Sequence, residues 1–274
     1  MLTRSRAVEL LPERLYALGG PIPLDGRVTW APAAATGFQP AQCYLALDPD
    51  GALMIDTGLK YHEAEILGQL RELLPKGRRL SMFLTRSEFD CTGNFGAVVS
   101  NFEVDSLYTG GGTNPFDAFA DMTAVDDSWR KRVELSRTPV GEAIPLDEAG
   151  RWHVLAPAIR TLATFWAYDS ANRALFTSDV FGHTTIGRAD ARPVIDDDAT
   201  DTATYEQVRE HLLSKFFWLS WARTRKLKAD VQSLFEAMPV EIIAPSHGCV
   251  LVGRPIIERH VGMLLRCLDE VGRE

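Results

Sequence analysis

Apolar positions along the chain fall in short runs bounded by turn formers, interleaved with stretches of helical spacing. Residues 41–47 and 51–56 are two such runs flanking Asp48-Pro49-Asp50-Gly51, and this pattern predicts a β-hairpin. Residues 60–74 place Ile66, Leu67, Leu70, Leu73 and Leu74 on one helical face, and residues 80–85 are a short apolar run ending in a polar cluster. A helix is predicted over 93–100, a strand over 106–109, and a loop plus helix over 114–132. Further strands are predicted over 133–145, 151–156, 160–168 and 174–178. Residues 201–237 read as one long helical stretch, 241–244 as a strand that stops at Pro245-Ser246-His247-Gly248, and 256–271 as a closing helix. No Gly-, Pro- or Ser-rich linker and no fixed-period repeat interrupts the pattern, so residues 1–274 are expected to form a single domain.

Composition agrees with a globular chain of this length: of 274 residues, 46% are hydrophobic and 24% charged. Lys and Arg total 29 against 37 Asp and Glu, a net charge of -8, which is the wrong sign for binding a nucleic-acid backbone. Cys43, Cys91, Cys249 and Cys267 show no C-x-x-C spacing, so neither a disulfide framework nor a zinc finger is predicted. No apolar run is long enough to cross a bilayer, and the N-terminus lacks the apolar segment of a signal peptide. A cytoplasmic protein with no membrane partner is expected.

The chemistry lies where predicted strands end. One ends at Arg86, Glu88, Asp90 and Cys91, another at Asp179, and a third at His247. Three stretches, Met54-Ile55-Asp56-Thr57-Gly58, the segment from Leu84 to Asn94, and Ala244-Pro245-Ser246-His247-Gly248, together resemble the metallo-β-lactamase superfamily. The resemblance implies an α/β fold, the αββα sandwich, in which two sheets lie between helices. Within that superfamily the chain is most similar to the diiron domain of flavodiiron proteins and to stand-alone oxygen-binding diiron proteins. Glu88 stands where those proteins have Glu, Leu175 to Gly182 looks like their bridging-aspartate segment, and a long helical insert precedes Ile243 to Gly248. The flavodoxin domain that follows in flavodiiron proteins has no counterpart here, so no FMN is expected in this chain.

The resemblance also implies a ligand set, and the chain departs from it. In the family one iron is held by two His and a Glu, the other by an Asp and two His, and an Asp bridges them. The first set would here be Arg86, Glu88 and Arg160, and a guanidinium has no lone pair to give. The second would be Asp90, Cys91 and His247 with Asp179, in which Cys replaces one His and remains a competent ligand for zinc or iron.

Two readings follow. In one, a single Zn or Fe at Asp90, Cys91, Asp179 and His247 supports a hydrolase-like or redox-related enzyme acting on a small anionic substrate. In the other, Arg86 and Arg160 neutralise Glu88 and Asp179 in a metal-free pocket that binds an anionic ligand or acts as a sensor. That second arrangement requires both guanidiniums to face inward. His183 follows the bridging-aspartate segment and is expected in a surface loop, with proton donation or substrate contact as the alternative if it faces the pocket. His62 is expected in solvent, and His153, His211 and His260 away from the motif ends. Trp218, Trp221, Phe216 and Phe217 are expected in a core or dimer contact, and the resemblance implies a homodimer.

Overall fold

The structure, a computed structural model, describes residues 6–49, 51–111, 129, 131–146 and 150–273. Most of the predicted loop and helix over 114–132 therefore lies outside the described residues. The chain divides into two compact units, one of residues 1–20, 41–155 and 162–167, the other of residues 21–40, 156–161 and 168–274.

The first unit is built on a seven-stranded sheet in the order β1-β2-β3-β4-β5-β6-β7. Its strands are β1 (Val8–Leu11), β2 (Leu15–Pro23), β3 (Phe38–Leu47), β4 (Ala52–Ile55), β5 (Leu80–Leu84), β6 (Val104–Thr109) and β7 (Glu134–Arg137). The predicted hairpin is β3–β4, antiparallel with Tyr44 opposite Ile55 and Leu47 opposite Ala52. From β4 onward the pairing is parallel, Ala52 beside Leu80 and Ile55 beside Phe83. Every residue of β5 is buried, as expected for a central strand covered on both faces. Among the described residues the α-helices that accompany the sheet are α1 (Glu63–Leu73), the short α2 (Phe89–Thr92) and α3 (Phe95–Asn101). Ile66 and Leu70 of α1, with Phe95, Val98 and Val99 of α3, join Leu45, Met54, Met82 and Leu84 in one core.

β1 and β2 have no counterpart among the predicted elements. A Cβ on Gly19 would lie 2.4 Å from the carbonyl oxygen of Ala41, and its φ is +105°, so this glycine permits close passage past β3 rather than ending the strand. The strand predicted over 133–145 is confined to β7, since Glu142 N–H closes a turn onto the Pro139 carbonyl and Gly141 takes a positive φ.

The second unit carries the strands β11 (Val194–Ile195), β13 (Val250–Val252), β12 (Ile242–Pro245) and β10 (Ala174–Ser178) in that order, with β9 (Trp166–Asp169) next to β10. β8 (Trp152–Leu155) lies in the first unit's residues. β10 and β12 are parallel, and β12 and β13 antiparallel. The strand predicted over 160–168 shrinks to β9.

The long helical stretch is two helices, α4 (Tyr205–Lys215) and α5 (Thr224–Ala237), joined by a 3-10 turn over Phe217–Trp221. Thr204 and Gln207 close a capping box that starts α4. Phe216 and Leu219, three residues apart, are the buried members of the aromatic run, a spacing that a 3-10 turn aligns. Phe217 and Trp221 are exposed, which removes the core from the two places expected for them, a core or a dimer contact. The last helix, α6 (Arg254–Val271), buries Ile257, Val261, Leu264 and Leu268 along one stripe. None of the described helices is long and apolar enough to cross a membrane.

Candidate metal centre

In the first unit the candidate residues gather where β4 and β5 end. Asp56, just past β4, takes a left-handed φ of 58°, rare for a non-glycine residue and frequent where a fold aims a functional side chain. Its carboxylate accepts the Thr85 backbone N–H and the Thr85 hydroxyl, each at 2.8 Å. Burial pushes the Asp56 carboxyl up to about 6, against the lowering effect of the Thr85 hydrogen bonds and of Arg86.

Arg86 sits between two acids. Its side chain has no exposure, its Nε donates to Glu88 Oε2 at 2.5 Å, and its Nη2 donates to Asp90 Oδ2. Asp90 lies in α2 with its side chain 7% exposed, whereas that of Glu88 is 35% exposed. Two of the predicted iron-position carboxylates are thus held by one buried guanidinium. Cys91 is buried, with its sulfur 3.6 Å from the Thr85 hydroxyl, and burial holds its thiol well above the usual range. In this setting it is a thiol.

In the second unit Asp179 and His247 come together. β10 pairs with β12 through an irregularity between Phe176 and Ser178, and Ser178 has a φ of 56°; this bend carries Asp179 beyond the strand end. Asp179 Oδ1 is 3.6 Å from His247 Nδ1, and its Oδ2 is 3.2 Å from Lys215 Nζ at the end of α4. The His247 ring stacks on Trp30, with centroids 4.3 Å apart and planes at 12°. Trp30 is held by its indole N–H on Gln39, whose amide donates to the Gly182 carbonyl. His211 Nε2 lies 3.4 Å from the Asp179 carbonyl, and burial lowers this imidazole to about 4.

Several expectations are corrected. Arg160 is exposed and donates to the carbonyl of Pro157 in its own turn, so it is not the inward guanidinium that the metal-free arrangement called for. The cation on Asp179 is Lys215, which no motif marks. His62 is buried rather than solvated, His211 borders Asp179, and His183 is buried. Asp56 lies in a stretch quoted for the resemblance, but nothing in that stretch announces its interactions. Trp30 follows no recognisable pattern, because its partner His247 is distant in sequence.

The fit to a two-metal centre can be judged from these contacts. Arg86 and the exposed Arg160, which the resemblance puts at the first iron position, have no lone pair for a metal. Asp90 in the first unit, and Asp179 and His247 in the second, are buried side chains of ligand type. Both of those carboxylates already carry a cationic partner, Arg86 and Lys215.

No protein-family model and no curated protein sequence matches the chain. Solved structures do. Rubredoxin oxygen:oxidoreductase from Desulfovibrio gigas aligns with a TM-score of 0.72 at 14% identity, over 97% of this chain and 62% of that one. A metal-soaked flavodiiron core from Synechocystis aligns at 0.71 and 15%, again over 97% and 62%. A fragment of a putative diflavin flavoprotein from Nostoc aligns at 0.65 and 15%, over 97% of this chain and 98% of the fragment. The chain thus spans about three fifths of the length of the first two. Its fold is the metallo-β-lactamase-like fold of a flavodiiron core.

Proposed function

We propose that this chain is a metal-free, non-catalytic ligand-binding or sensing module on a flavodiiron-type core, in which Arg86 and Lys215, rather than the expected pair Arg86 and Arg160, take the charge role of the irons. The observation that carries this reading is Arg86, fully buried and paired with both Glu88 and Asp90. Lys215 on Asp179 extends the same logic to the second unit. A buried carboxylate without a counter-charge costs several kcal/mol, on the order of 3–5 when a partner is removed, and internal cations avoid that cost without a metal. The ligand in this reading is a small anion such as a carboxylate or phosphate, with Lys215 and the exposed Arg160 as its cationic contacts. Oxygen reduction is not carried over from the similar structures, because one set of iron ligands is absent.

Elemental analysis of the full chain, purified without added metal or chelator, tests the proposal. Zinc and iron far below one equivalent per chain are expected; one firmly held equivalent would overturn it.

A second reading is favoured by the burial of Asp90, Asp179 and His247, three side chains of ligand type. They would hold one Zn or Fe, with Cys91 as a fourth ligand if its thiol ionised on binding. Such an ion would supply Lewis-acid chemistry to a hydrolase-like or redox-related enzyme acting on a small anionic substrate. In that case His247→Ala and Asp179→Asn would each release the metal while leaving far-ultraviolet circular dichroism unchanged.

A further inference from the structure

A second buried polar group in the second unit is not used above. Asp201, His260 and His183 form a hydrogen-bonded chain through the interior. His260 Nε2 lies 3.1 Å from Asp201 Oδ2, and His260 Nδ1 lies 2.8 Å from His183 Nε2. The two imidazole rings are nearly parallel, with centroids 4.9 Å apart. All three residues are buried, His260 completely and His183 to 7% exposure.

Hydrogen-bond direction along this chain can be worked out from its anchored end. Asp201 Oδ2 accepts from Arg259 Nη1 at 2.7 Å, and its Oδ1 accepts the Ala203 N–H at 3.1 Å. A carboxylate so engaged only accepts, so the bond to His260 requires the hydrogen to be on His260 Nε2. Burial holds His183 well below the usual imidazole range, with His260 and His211 adding to it, and burial with Arg259 lowers His260 against the raising effect of Asp201. A neutral His260 with its hydrogen on Nε2 has only a lone pair at Nδ1. His183 Nε2 must then be the donor, which leaves Nδ1 of His183 as that ring's only acceptor.

We infer that Asp201 and His260 lock His183 as a neutral Nε2–H imidazole, making its Nδ1 a fixed acceptor for a protic group, a hydroxyl or a water, in the second unit. The groups facing the pair are His211 of α4, whose ring centroid is 6.3 Å from that of His183, and Arg259 of α6 against Asp201. His183 also follows Gly182, where a Cβ would lie 3.1 Å from the His247 carbonyl oxygen and 3.2 Å from that of Asp179. His183 is the contact; His260 and Asp201 are positioning residues. The inference is independent of whether a metal is bound elsewhere.

Two-bond proton–nitrogen NMR correlation on the full chain, labelled with 15N-histidine and assigned with His183→Gln and His260→Gln, reads the tautomers directly. At pH 7.5 both rings are expected as neutral Nε2–H forms. A Nδ1–H or doubly protonated His183 would overturn the inference. In Asp201→Leu, which has no oxygen to accept from His260 Nε2–H, the Nδ1–H population of His183 is expected to rise about tenfold, a change a purely space-filling role would not produce. An unaltered His183 tautomer in folded Asp201→Leu would overturn the inference. Where that variant fails to fold, the wild-type spectrum decides by itself.

Discussion

Replacing Arg86 by Met retains most of the length of the apolar stem and removes the guanidinium between Glu88 and Asp90. The two pairs differ in what they contribute. Glu88 is 35% exposed at its side chain, so solvent screens it and its pair contributes up to about 1 kcal/mol. Asp90 is 7% exposed and Arg86 not at all, and breaking such a buried pair from one side costs about 3–5 kcal/mol, most of it for the stranded charge. Arg86→Met is therefore expected to destabilise the fold by about 3–5 kcal/mol, chiefly through Asp90. Asp90→Asn in the Arg86→Met background removes the stranded charge, and a coupling of about 2 kcal/mol between the two sites is expected.

Urea unfolding followed by far-ultraviolet circular dichroism measures both. With a slope of about 3 kcal/mol per molar urea, the midpoint of Arg86→Met falls by about 1 M or slightly more, and the double variant recovers about half of the loss. A midpoint within about 0.3 M of wild type, or additive effects of the two substitutions, would refute the claim that Arg86 serves as the counter-ion of Asp90.

Two further expectations follow from the burial of titratable groups. The folded Asp56 carboxyl titrates at about 6, above an unfolded value of about 3.9. Folding therefore favours its protonated form, and its contribution to stability is full below about pH 4 and declines by about 3 kcal/mol as pH rises through 6. Asp56→Asn should remove that decline; wild-type and variant stabilities that run parallel from pH 4 to 7 would count against it. Cys43, Cys91, Cys249 and Cys267 are all buried free thiols, with Cys249 and Cys267 pushed up to about 11, so Ellman's reagent should find none in the native chain and four after denaturation. Rapid labelling of Cys91 in the native protein would mean that its thiol is not enclosed as described.

The periodic signals were legible where one element buries one face or is buried all round. The hairpin β3–β4, helix α1, strand β5 and helix α6 follow the apolar pattern closely, because burial of those side chains dominates their local choices. The pattern failed where a different term won. The β2 strand has no counterpart among the predicted elements, and the missing Cβ of Gly19 is what lets it pass the Ala41 carbonyl. The run from Phe216 to Trp221 was read as helix, yet only two of its large side chains find a core, and the chain tightens into a 3-10 turn between two helices.

By itself the sequence determined the strand-end positions of Arg86, Glu88, Asp90, Asp179 and His247, since these follow from short apolar runs meeting polar residues. It also determined that Arg86 and Arg160 cannot serve as metal ligands, which is a property of the guanidinium alone. Only the tertiary structure decided which cation meets which carboxylate. Arg86 turns inward to Glu88 and Asp90, Arg160 turns out to its own turn, and Lys215 reaches Asp179 from the end of a helix 36 residues further along the chain. Likewise it alone joined Asp201, His183 and His260, of which the sequence marked only His183 as a candidate. The physical reason is the same in each case. Burial patterns are local and periodic, whereas a buried charge is satisfied by whichever partner the fold brings within a few ångströms, and sequence separation does not limit that choice.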